Sequence, residues 1–281
     1  PESSRVAQLA SGGRKGLAQS IFQVGGNAGS AMGPLLAALI VIPYGQASIG
    51  WFALAALLAI FILVKIGNWY KRQLAVVACK SAAATATPVH GLTKRKIRHA
   101  LLILGVLVFS KYFYIACMTN YFTFFLMDKF GMSVQGSQYC LFAFLAASAA
   151  GTFIGGPVGD RIGRKYVIWG SILGAAPFTL LLPYANLTCT IVLAIIIGLV
   201  ISSAFSAILV YATDLMPGKV GMIAGVFFGL MFGLGGIGSA FFGWLADKTS
   251  IEYIFRISTL LPLLGIITGL LPNIESRASD K

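Results

Sequence analysis

The chain has 281 residues, of which 58% are hydrophobic and only 10% charged, with a mean hydropathy of +0.87. Globular domains carry roughly 25% charged residues, so this composition excludes a water-soluble fold and selects an integral membrane protein. The net charge of +13 lies almost wholly in the gaps between apolar runs; nucleic-acid binding would need it on one exposed face, so no nucleic acid is expected as a partner.

Eight stretches reach the roughly 20 mostly apolar residues that a transmembrane helix requires. They are 17–42, 49–69, 100–127, 136–158, 166–184, 190–213, 221–246 and 251–272. The expected fold class is therefore an all-α integral membrane protein with eight transmembrane helices. The first residue is Pro1, and the start reads as truncated.

The first span carries two stripes. Ser20, Gln23, Asn27 and Ser30 share one helical face, and Gly25, Gly29 and Gly33 lie roughly 140° away from it at 3.6 residues per turn. The glycine stripe is expected to pack helix on helix. The amide face is compatible with two roles, lining a polar path or bonding between helices. After the second span comes "KRQLAVVACKSAAATATPVHGLTKRKIRH", read as a flexible linker between two bundles.

The third span contains "VLVFSKYFYIAC", with Lys111 at its centre. Counting 1.5 Å per residue from His99 places Lys111 about 17 Å deep, near the middle of a ~30 Å hydrocarbon core. Its stem reaches neither surface, and a lipid-facing charge there costs roughly 2.5–3.5 kcal/mol on insertion scales. Lys111 must face the bundle interior or a water-filled path. Tyr114, Met118, Tyr121, Phe122 and Phe125 are read as sharing its face. Two roles stay open, a structural lysine bonded to carbonyls and a charge that meets substrate; the second is adopted.

The fourth span and its loop carry Gly151, Gly155, Gly159 and Gly163. Ser202, Ser206 and Thr213 in the sixth span read as hydroxyls bonded to their own helix. The seventh span repeats the glycine pattern with Gly225, Gly229 and Gly233, so these too are expected to pack. Matching stripes in two spans also suggest bundles related by a parallel repeat. In the last span Glu252 and Arg256 are spaced to pair with each other.

Lysine and arginine fall overwhelmingly on one side. Apart from Lys111 and Arg256 inside spans, only Lys129 and Lys248 lie opposite the other basic residues. This positive-inside bias puts the long linker and the C-terminus in the cytoplasm. Cys79, Cys117, Cys140 and Cys189 have no metal or disulfide spacing, and His90 and His99 sit together in the linker. No metal, no cofactor and no enzyme activity are expected.

Between the fourth and fifth spans stands "GGPVGDRIGRKY". Gly156, Asp160, Arg161, Gly163, Arg164 and Lys165 resemble the G-x-x-x-D-R-x-G-R-K loop of the major facilitator superfamily. Within it, "PESSRVAQLASGGRKGLAQSIFQVGGNAG", "GPVGDRIGRKYVIWGSILG" and "SAFSAILVYATDLMPGKVGMIAGVFFG" resemble the fosmidomycin-resistance family of bacterial drug exporters. In the superfamily the loop follows the second and the eighth helix. The resemblance therefore implies helices 5–12 of a twelve-helix fold, with the first four absent. Residues 1–69 would end an N-terminal bundle, 70–99 form the central linker, 100–272 the C-terminal six-helix bundle and 273–281 the tail.

The resemblance further implies proton-coupled efflux of fosmidomycin-like or other small drugs by alternating access, and hence antibiotic resistance. The setting would be the bacterial inner membrane, multi-pass. The partners would be a small substrate (an anionic phosphonate suits a lone lysine), protons and lipid, with a monomer when full length. Lys111, Tyr114, Tyr121, Gln23 and Asn27 are the expected substrate-binding residues. The loop residues are expected to act as a conformational latch, with Asp160 accepting from the N-terminus of the first span near "GGRKG"; a pure topology anchor is the other reading. Uptake of a small anionic metabolite and a non-transporting remnant are the remaining functional readings.

Overall fold

The structure, a computed structural model, describes Val6 and residues 15–81, 93–216 and 218–272, with side chains for all of these except 15 and 72–81. Residues 82–92 of the expected linker and the tail 273–281 lie outside the described residues. The described chain is helical throughout. Eight of its helices are long and apolar enough to cross a membrane, Gly16–Tyr44, Gln46–Lys71, Lys94–Phe130, Val134–Ile162, Arg164–Tyr184, Leu187–Leu215, Val220–Lys248 and Ile251–Leu270. Each contains one of the eight expected stretches or overlaps nearly all of it. In lipid the backbone must bond to itself, and helices are how an open chain does so.

The first span is α1 (Lys15–Leu36), continued by a π turn at Ala37–Val41 and one α turn at Ile42–Tyr44. A 3-10 turn at Gln46–Trp51 leads into α2 (Phe52–Ser81). Then follow α3 (Lys94–Phe130), α4 (Val134–Ile162) and α5 (Arg164–Leu181). The sixth span is broken into α6 (Leu187–Ser202) and α7 (Ala204–Leu215). The seventh is α8 (Val220–Lys248), and the last is α9 (Ile251–Ser258) running into a 3-10 helix at Leu261–Leu270. Pro262 lacks the N–H that an α ladder would need there.

Several span ends are capped by side chains. The hydroxyls of Ser133 and Ser250 and the amide oxygen of Asn186 accept from Gly136, Tyr253 and Cys189 N–H groups respectively, which satisfies orphan donors at three helix starts. Gly131, at φ 64°, closes α3 in the left-handed conformation.

The spans from α3 onward enclose two apolar clusters. Near the end carrying the 160–165 loop, here the basic end, Leu104, Ile168, Ile172, Phe205, Ile208 and Phe227 pack together. Towards the far end, Phe122, Phe125, Phe144, Ile197, Phe242 and Phe255 form the second cluster, with the Phe125 and Phe255 rings stacked at 4.4 Å. α1 lies along α4, whereas the contacts of α2 are confined almost wholly to the turn that leads into it.

Among the described residues, close glycine packing is concentrated on α4. An added Cβ at Gly151 or Gly155 would overlap the backbone of Leu199 or Ser203. At Gly156 it would overlap Ser20 Oγ and the Gly16 carbonyl. α4 thus approaches both α1 and the broken sixth span backbone to backbone. By contrast, among the described residues no atom beyond the adjoining residues and local backbone of its own helix lies within 4 Å of a Cβ added at Gly25, Gly29, Gly33, Gly229 or Gly233. The reason is facing: α1 turns buried Gly16, Ser20 and Gln23 towards α4, which points its glycine stripe away. In α8 the buried face is Ile223, Phe227, Met231, Gly238 and Phe242, opposite Gly229 and Gly233; Gly225 is half-buried.

Candidate functional site

A cavity of about 560 Å³ opens between α1, α3, α4, the break in the sixth span and α8. From α1 it receives Gln23, Asn27 and Ser30, three of the four residues of the amide face; Ser20 instead packs beneath Gly156. α4 contributes Ser148 and Thr152, and α8 contributes Met231, Phe232 and Ser239. From α3 come Lys111, Tyr112, Ile115, Ala116, Thr119 and Asn120.

Lys111 is 2% exposed and lies against this cavity. Its Nζ donates to the Ser202 carbonyl at 3.4 Å and lies 5.3 Å from the Tyr112 ring and 5.6 Å from the Phe205 ring. That carbonyl is available because the helix breaks at Ser203. The carbonyls just before it are bonded by side chains, Val200 and Ile201 by Ser171 and Ser202 by Lys111 and Thr152. Of the hydroxyls expected to bond within their own helix, Thr213 does so to Val210, whereas Ser206 Oγ has no partner.

Thr152 joins the cavity's walls. Asn27 Nδ2 donates to its hydroxyl at 2.7 Å. The single hydroxyl proton of Thr152 is shared between the Ser148 carbonyl at 2.9 Å and the Ser202 carbonyl at 3.3 Å. A polar chain therefore runs from α1 through α4 to the broken helix and Lys111. Thr152, Ser148 and the Ser202 carbonyl were absent from the expected site.

Tyr114 and Tyr121 do not line the cavity. Tyr114 is 1% exposed within the far cluster, its hydroxyl unpartnered. Tyr121 donates to the Ser239 carbonyl at 2.7 Å. On α3 the cavity face is 112, 115, 116, 119 and 120, while 114, 118, 121, 122 and 125 turn into the apolar cluster. Lys111 lies on the boundary between these faces, so the stripe read beside it belongs to the core. Tyr112 is the tyrosine that meets the cavity.

Among the described residues no carboxylate lines this space. Among the described residues the acids stand at helix ends, Asp128, Asp160, Asp214, Asp247 and Glu252, and Glu252 pairs with Arg256 at 3.0 Å as expected. A lone ammonium with hydroxyls, amides and aromatic rings is a binding surface for a small anion with an apolar portion. Among the described residues no group of acids, cysteines and histidines could hold a metal.

At the basic end, the Leu17 N–H donates to Asp160 Oδ2 at 3.1 Å. Gly16 leaves the space, since a Cβ there would lie 2.5 Å from Asp160 Oδ1. Arg164 bridges Asp160 at 3.5 Å and pairs with Asp214. Lys165 donates to the Gly269 and Leu271 carbonyls. Gly163 turns the chain at φ 103°, and Arg161 is exposed. The loop thus ties α4 to α1, to the end of α7 and to the last span.

The model of the Major Facilitator Superfamily matches residues 104–281. The chain is 60% identical over 273 residues to the fosmidomycin resistance protein of Escherichia coli K12, covering 97% of this chain and 66% of that protein. It is 42% identical over 273 residues to the uncharacterized MFS-type transporter YfnC of Bacillus subtilis 168, covering 97% and 67%. A probable sugar efflux transporter of Helicobacter pylori P12 is 27% identical over 186 residues, 66% of this chain and 46% of that protein. The chain spans about two thirds of the length of the first two relatives.

Proposed function

The chain belongs to the major facilitator superfamily, and we propose that it works as helices 5–12 of a proton-coupled exporter of small anionic drugs of the fosmidomycin kind. The observation that carries this reading is the cavity with Lys111 as its cation and, among the described residues, no carboxylate on its walls. A phosphonate placed there meets the ammonium first. The Asn27 and Thr152 dipoles flank it, and the Tyr112 and Phe205 rings cover its apolar part. The site lies at mid-span, where transporters built from two bundles hold their substrate while the bundles rock about it.

In this reading the protein sits in the bacterial inner membrane as a monomer, with the basic end cytoplasmic. The contact of Asp160 with the start of α1 then closes the seam between bundles on the cytoplasmic side. Lys111 is the element of proton coupling this chain supplies, trading a proton as the anion comes and goes. The test is drug accumulation in cells expressing the full-length protein. Lower fosmidomycin accumulation than in cells expressing Lys111→Gln at equal abundance supports export; equal accumulation removes it. Net uptake would select the opposite direction.

One observation favours a second reading. The Lys111 bond to the Ser202 carbonyl is what a purely structural lysine would make, holding the helix break in place. Under that reading Lys111→Gln lowers thermal stability and leaves substrate affinity unchanged.

A further inference from the structure

α1 and α4 are in contact at three depths through polar groups. At the basic end Asp160 accepts from the Leu17 N–H, and at mid-depth Asn27 donates to Thr152. At the far end Gln135 Nε2 donates to the Ala38 carbonyl at 3.2 Å. The third contact has a cause in the sequence. The π turn sends the Ile42 N–H to the Ala37 carbonyl instead of to Ala38. The next amide along would be that of residue 43, which is proline and has no N–H. Ala38 is fully buried, so its orphaned carbonyl must find a donor from another element. Gln135, in the first turn of α4, supplies it.

We propose that Gln135 and the Ala38 carbonyl form a clasp at the far end of the α1–α4 seam, opposed in effect to the Asp160 clasp at the basic end. This rests on the reading of α1 and α4 as helices of two bundles that rock against each other. Opening towards the far side releases Gln135 while Asp160 holds, and opening towards the basic side does the reverse. The Asn27–Thr152 bond between them lies near the pivot and persists. Gln135 is a positioning residue, since it lies outside the cavity and touches no substrate.

The test is alkylation of a cysteine introduced at Ser239, on the cavity wall, by an impermeant reagent from outside. It uses the full-length protein without substrate, with every native cysteine replaced, Cys79, Cys117, Cys140 and Cys189 among them. Gln135→Ala should raise the labelling rate roughly two- to tenfold, the range of one lost hydrogen bond. Pro43→Ala should do the same, because an N–H at that position continues the i−5 bonding of the π turn to the Ala38 carbonyl and withdraws it from Gln135. The double variant should match either single one, and Asp160→Asn should shift labelling the other way. An unchanged rate in Gln135→Ala or Pro43→Ala, or additive effects in the pair, overturns the clasp. The transport reading is judged separately, by whether saturating fosmidomycin alters labelling of the otherwise unsubstituted reporter protein.

Discussion

Replacing Lys111 with glutamine removes the cavity's charge while keeping a polar side chain of similar length. At about 4 Å and an effective dielectric of 20, an ammonium and a phosphonate oxygen attract by about 4 kcal/mol before desolvation. Net charge-assisted hydrogen bonds are worth about 1.5–3 kcal/mol. Affinity for the anion should therefore fall roughly ten- to a hundredfold. The folded protein should lose little. The bond it forfeits, Lys111 Nζ to the Ser202 carbonyl, is 3.4 Å long, beyond the usual 2.7–3.2 Å range, and a buried ammonium is costly to keep. Lys111→Arg keeps charge but must fit a planar fork between the Tyr112 and Phe205 rings, so it should retain part of the affinity. The assay is calorimetric binding of a phosphonate to the full-length protein in nanodiscs, with thermal unfolding measured alongside. A dissociation constant within twofold of the parent in Lys111→Gln, together with a lower unfolding temperature, would refute the reasoning and leave a structural lysine.

Asp160→Asn removes a charged acceptor at a helix start, worth about 0.3–2 kcal/mol; it should keep the protein in the membrane and change transport rate severalfold at unchanged substrate affinity. Gly156→Ala places a methyl against Ser20 Oγ and the Gly16 carbonyl, so thermal unfolding should occur several degrees lower, since backbone rather than a flexible side chain must give way. Tyr114→Phe deletes a buried hydroxyl that has no partner and should leave both binding and stability unchanged or raise stability slightly. Tyr112→Ala, by contrast, should weaken binding measurably in the same calorimetric assay.

The eight spans were legible because hydropathy over twenty residues is insensitive to how helices pack. The meeting of Asp160 with the start of α1 was legible too, through the resemblance of the 156–165 loop and the pull of a helix N-terminus on an acid. Facing was the weaker inference. Lys111 sits where the cavity face and the core face of α3 meet, so a wheel drawn from sequence assigned Tyr114 and Tyr121 to its company and missed Tyr112. The glycine stripes show a related point: spacing shows which residues share a face but not which way the face turns. The break at Ser203 left no sign in the sequence, lacking both glycine and proline. Thr152 matters only because Asn27 and the Ser202 carbonyl converge on it from other helices. Pro43 could have signalled a freed carbonyl near Ala38, although not that Gln135 would reach it.

The central claim, that the cavity around Lys111 carries an anion across the membrane, is tested most directly in proteoliposomes of the full-length protein. Labelled fosmidomycin is supplied at the basic end of the molecule with an imposed proton gradient. The account predicts gradient-driven accumulation that a protonophore abolishes and Lys111→Gln reduces at least tenfold. Flux equal to that of protein-free vesicles, or flux that Lys111→Gln leaves intact, would contradict it.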